Sequence, residues 1–151
     1  MSRREQIEAV LAQAQADRYA LLQRVSPELR ASLPVDATGV TQGIDVLAAT
    51  LGVGDELRAL GARGHQANPA VLHGRVFGRA PLSPDTVTAA FAEGARVRDG
   101  QLARLAEAID GGTLRDEVRA LLDAAPPGLE ATYAAQERAL LLLADRLDDL
   151  E

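Results

Sequence analysis

From Ile7 onward apolar residues recur at helical spacing, through Val10, Leu11, Ala14, Leu21 and Leu22 to Val25, with one break at Arg18. Six turns of this spacing predict an amphipathic helix over about 3–25. Ser26-Pro27-Glu28 places a capping serine before a proline suited to the first helical position, and predicts a separate short turn of helix ahead of a loop over 34–39. Ile44, Leu47 and Leu51 then form one stripe, and Val46, Val53, Leu57 and Leu60 the next. A face this broad predicts a second helix over 41–62 buried against two neighbours. Gly43, Gly52 and Gly54 interrupt it, each about 1 kcal/mol less favourable than alanine, and point to close approach of another helix.

Between Arg63 and Leu82 five glycine or proline breaks leave no sustained period, so this stretch predicts a connection of about twenty residues. Ser83-Pro84-Asp85 opens a third helix whose apolar face runs through Val87, Phe91, Gly94, Leu102, Leu105 and Ile109 to a stop at Gly111-Gly112. Thr113-Leu114-Arg115-Asp116 resembles a capping box and predicts a short helix ending at Pro126-Pro127-Gly128. The last helix, over 129–149, aligns Leu129, Tyr133, Gln136, Leu140, Leu143, Leu147 and Leu150 on one stripe. The pattern contains no strand signal. It predicts an all-α four-helix bundle of one domain over 1–151, with one or two short extra helices. A twenty-residue connection can cross the length of a bundle and let helices two and three run parallel, which predicts an up-down-down-up order.

Composition narrows the chemistry. Cysteine is absent, which removes disulfides and thiolate nucleophiles and fits a reducing compartment. The net charge of −6 arises from 22 acidic residues interspersed among 16 basic ones, with no basic block, so no nucleic-acid surface is expected. All the basic residues are arginine, which excludes lysine Schiff bases and a phosphate-loop lysine. No apolar run approaches the length of a signal or membrane helix, so a cytoplasmic protein without membrane contact is expected.

Chemically varied residues concentrate in 64–79, "GHQANPAVLHGRVFGR", which holds both histidines. His65 and His73 with Asp55 or Glu56 could compose a two-histidine, one-carboxylate set for zinc or nickel, although the spacing of the histidines matches no helical or hairpin ligand pattern. Arg18 and Arg98 each interrupt an apolar stripe. An arginine so placed either snorkels, pairs with a carboxylate such as Asp45 or Asp55, or binds an anionic ligand. Tyr133 and Gln136 lie on the inner stripe of the last helix as core residues, and Asp145, Asp148, Asp149 and Glu151 read as a solvated, frayed end. Arg18, Asp55, Arg98 and Tyr133 are the candidate residues of a ligand-binding cleft.

The segments "LLQRVSPELRASLP", "VTQGIDVLAATLGVGDE", "VFGRAPLSPDTVTAAFAEGARVRDGQLARLAEAIDG" and "ATYAAQERALLLLADRL" together resemble the layout of the DinB/YfiT-like superfamily. Many members of that superfamily hold a divalent metal through three histidines. Here "VLAATL" at 46–51 stands where the family's second helix carries one histidine, and Ala135 and Ala139 stand where its last helix carries two. A methyl group ligates nothing, so the resemblance implies a member that has lost its metal site. Such a protein is expected to act by binding a small molecule or by assembly, including as a homodimer. The competing expectation is an enzyme of the superfamily, a thiol-dependent transferase or isomerase or a hydrolase, with a non-standard site.

Overall fold

A computed structural model of the chain describes residues 2–24, 37–66 and 84–150. Five helices account for almost all of them: α1 Arg3–Leu22, α2 Thr38–Leu51, α3 Gly54–Gln66, α4 Pro84–Asp123 and α5 Leu129–Leu150. No strand occurs among the described residues, and the protein is an all-α bundle. No helix among them is long and apolar enough to cross a membrane.

The predicted second helix is two helices. Gly52 takes a left-handed conformation at φ 74°, its N–H bonds to the Ala49 carbonyl, and the Val53 N–H bonds to that of Ala48. This Schellman arrangement satisfies carbonyls at the end of α2 and reverses the chain into α3, with Val53 folded onto the core. Gly43 serves close approach instead: a Cβ there would overlap Leu140 Cδ2 on α5. The predicted stop at Gly111 is where α4 breaks, with Asp110 at φ −147° and Gly111 at φ 72°, ψ −156°, a region essentially confined to glycine. α3 continues to Gln66, past the predicted end of its helix, and the rest of the long connection lies outside the described residues, as does the Ser26-Pro27-Glu28 turn.

Cross-helix contacts give the helix directions. Ala95 and Asp99 meet Gln136, and further along Asp110 meets Arg146, so the first arm of α4 runs parallel to α5. Beyond the break Glu117 also approaches Arg146, and Asp123 comes near enough to Asp99 to raise its pKa, so the second arm returns antiparallel. Glu56 meets Arg104 while Gly61 lies by Gln101, so α3 opposes the first arm of α4. α1 starts at Asp148 near the end of α5 and reaches Gly39 through Leu11 and Ala14, so it opposes α5, whereas α2 runs with it. The chain reverses at each turn. An up-down-down-up order would need the first arm of α4 to oppose α5, and these contacts do not give it. The difference comes from the two reversals at Gly52 and Gly111, which insert α3 and the second arm of α4 as full return helices.

α5 is central, packed on α1, α2 and α4. Leu140, Leu143, Ala139 and Ala144 are fully buried among Ile7, Ile44, Leu47, Leu102, Leu105, Leu114 and Val118. Each fully buried leucine or isoleucine of this core contributes on the order of 1.5–3 kcal/mol relative to exposure. Two of the four acidic residues read as a solvated, frayed end are held: the Asp148 carboxylate accepts the Arg3 and Arg4 backbone N–H groups at 2.8 and 3.2 Å, capping α1 from another helix, and Asp145 pairs with Arg4 at 2.5 Å, while Asp149 is exposed and Glu151 lies outside the described residues.

Candidate functional site

The apolar stripes of α4 and α5 meet along their length, and at one level polar residues replace them. Gln136 on α5 is completely buried. Its Nε2 donates to the Ala95 carbonyl at 2.9 Å and to Asp99 Oδ1 at 2.8 Å, and its Oε1 accepts from Arg98 Nε at 2.9 Å. Two acceptors on one side and a donor on the other allow only one orientation of the amide, and all of its hydrogens are used. Burial raises the Asp99 carboxyl above its ordinary range, against the opposing Gln136 hydrogen bond and Arg98 charge, with Asp123 adding to the rise. One turn after Tyr133, burial likewise raises the carboxyl of Glu137.

Beside this network lies a recess walled by Ala37 at the start of α2, Phe91, Ala95 and Arg98 of α4, and Leu129, Thr132 and Tyr133 of α5. It spans about 250 Å3 with open solvent included, and has room for about one water molecule in all. Thr132 Oγ1 donates back to the Gly128 carbonyl. The guanidinium of Arg98 folds along α4 over Gly94, where a Cβ would sit 3.4 Å from Nη1.

Of the four cleft candidates, Arg98 and Tyr133 come together at this recess. Arg18 is half-buried one turn beyond Ala14, which faces Gly39 near the same end of the bundle. Asp55 is apart from them, almost fully exposed in the first turn of α3 and paired with Arg58 at 2.5 Å. Asp45 is exposed too, and Arg98, for which snorkelling, pairing with Asp45 or Asp55 and an anionic ligand are the alternatives, donates through Nε to Gln136. Asp99 and the organising role of Gln136 escaped sequence reasoning. The available signal was one amide on the inner stripe of the last helix and a charged Arg-Asp pair on the helix it faces.

Asp55 and His65 lie ten residues apart on one helix, about 15 Å along its axis. Side chains joined to a single ion by bonds of about 2 Å do not bridge that span, so α3 separates two members of the proposed ligand set. The His65 side chain and all of His73 lie outside the described residues. Among the described residues no group of three His, Asp or Glu side chains could hold a metal ion. Ala135 and Ala139 are packed in the interior, 1% and 0% exposed.

The fold and its polar inclusion thus define an all-α bundle with a recess at one end, walled by aromatic and aliphatic groups around an arginine. Comparisons with protein-family models, with curated proteins and with solved structures find no match.

Proposed function

We propose that the protein is a metal-free, DinB-like helical bundle that works by binding a small molecule at the Arg98–Tyr133 recess. The observation that carries this reading is the Gln136 network. A buried amide that fixes an arginine and half-buries a carboxylate is costly in a helical core, and such arrangements concentrate where a fold serves a ligand. The metal-free part rests on Ala135 and Ala139, whose methyl groups fill the interior at the positions where the resemblance would require imidazoles. Titration with Zn2+ or Ni2+ tests it: no stoichiometric uptake and no change in melting temperature is expected. One tightly bound ion per chain, or metal-dependent hydrolysis or thiol transfer, would overturn it in favour of an enzyme.

Self-assembly is the second reading, favoured by Tyr19 and Leu21, which are 67% and 58% exposed at the end of α1. Light scattering after gel filtration tests it, with a dimer lost in Tyr19→Ser/Leu21→Ser as the supporting result and a monomer at all concentrations as the opposing one.

A further inference from the structure

We propose that Gly111 is a hinge through which two copies of the chain exchange the second arm of α4 together with α5, each α4 straightening into one continuous helix, so that the partner of this protein is a second copy of itself. The reversal at Gly111 rests on little. Two residues make it, Asp110 and Gly111, and helix flanks them directly on both sides. A Cβ built at Gly111 meets no atom within 4 Å, so no side chain packs on the turn. The ion pair that spans it within α4, Arg115 with Glu107 at 3.7 Å, is half-exposed and of the kind that contributes little. Short hinges of this kind are where chains exchange elements, because the closed and exchanged forms differ only at the turn. What lies beyond the turn, in contrast, cannot be left without a partner. Leu114, Val118, Leu140 and Leu143 all follow Gly111 and are fully buried in one core with helices that precede it. Straightened, the 40 residues of α4 span about 60 Å and carry the second arm clear of its own bundle. At 3.6 residues per turn, Leu114 and Val118 then lie roughly 120–180° around the axis from Leu102 and Leu105, so one straight helix cannot bury both pairs in the same core. A second copy in the same state lacks the same second arm and α5, and exchange restores between the two copies every buried contact that each has opened. This exchange is independent of the binding function above, and it differs from a surface dimer through Tyr19 and Leu21 in where the α5 of each chain lies.

The experiment combines light scattering after gel filtration with a spin-label distance inside one chain. Because the protein has no cysteine, nitroxides can be placed on Arg96→Cys and Asp123→Cys alone, both exposed positions. In the closed hairpin the second label lies near Asp99, one turn from the first, whereas on a straight helix the two are about 40 Å apart. Dilution with unlabelled chain before refolding leaves only the intrachain distance. The wild type is expected to be a monomer with the short distance when refolded dilute, and to give a dimer with the long distance when refolded concentrated. Gly111→Ala disfavours the positive φ and favours continuous helix, and should raise the dimer fraction at equal concentration at least about tenfold. Inserting three glycines after Gly111 lengthens the turn and breaks the straight helix, and should abolish the dimer. The wild type and the insertion decide the matter even if Gly111→Ala does not fold. A monomer at every concentration in both the wild type and Gly111→Ala overturns the proposal. So does a dimer whose intrachain distance stays short or which survives the insertion, since its chains then meet through their surfaces.

Discussion

Two levels of α5 carry polar side chains into contact with other helices, and they do so on different terms. Near its end, Asp148 caps α1, Asp145 pairs with Arg4, and Arg146 reaches Asp110 at 2.9 Å and Glu117 at 3.6 Å. These groups are half-exposed, keep much of their hydration, and close the bundle where the first and last helices meet. Two and a half turns earlier, Gln136 makes its three hydrogen bonds with no exposure at all. Among the described residues it is the one buried polar side chain. The outer contacts hold the helices in register at little desolvation cost. The inner network gives up apolar packing to orient an arginine at a recess, which is the ground for the proposed binding function there, whereas the other level closes the bundle.

The sharpest challenge to this contrast is Gln136→Leu, a change close in volume. It leaves the half-buried Asp99 and Arg98 without their shared partner, and a loss of about 2–3 kcal/mol is expected in urea denaturation. A neutral or stabilising result would mean that the inner network is no more demanding than the outer one. Asp148→Ala removes a cap from α1 and is expected to lower stability by about 1 kcal/mol. An effect as large as that of Gln136→Leu would erase the distinction between the two levels. Arg146→Gln breaks two half-exposed ion pairs and should change stability by less than about 1 kcal/mol, decreasing with added salt.

The smallest effect belongs to Asp99→Asn, and its sign is diagnostic. Because the folded carboxyl titrates above its unfolded value, its contribution to stability is fully present at acid pH and is lost as pH rises through the folded value. The amide introduced by this substitution keeps a carbonyl for the Gln136 N–H and carries no charge to desolvate. Melting temperatures measured from pH 4 to pH 8 should therefore show the variant gaining on the wild type as pH increases. A gap that stays constant over this range would remove the buried charge from the account.

The helices were legible because apolar residues recur at helical spacing, and the Gly111 break because two glycines interrupt a good stripe. The end of α2 was not. Gly43, Gly52 and Gly54 look alike in sequence, yet one admits Leu140, one adopts a positive φ, and one enters the first turn of α3. Only their backbone angles and neighbours distinguish them, and that distinction changed the helix order. At the site, Arg98 and Tyr133 were visible as irregularities in otherwise apolar faces. Asp55 carries ligand chemistry in sequence, but in the fold it is a solvent-exposed helix-start residue whose charge suits the helix dipole. Charge alone does not reveal that Asp148, within an acidic helix end, meets the amide end of a helix 145 residues earlier.

Periodicity and composition alone established an all-helical chain with no thiol or lysine chemistry and an inward-facing Tyr133 and Gln136 on its last helix. These are local properties, set by side-chain spacing along one element and by which residue types are present. Tertiary structure decided that Gln136 faces Arg98 and Asp99, that Asp148 caps α1, and that two glycines reverse the chain. Each of these depends on which helix lies opposite and in what register, and a stripe of leucines can be buried against many partners with nearly equal free energy.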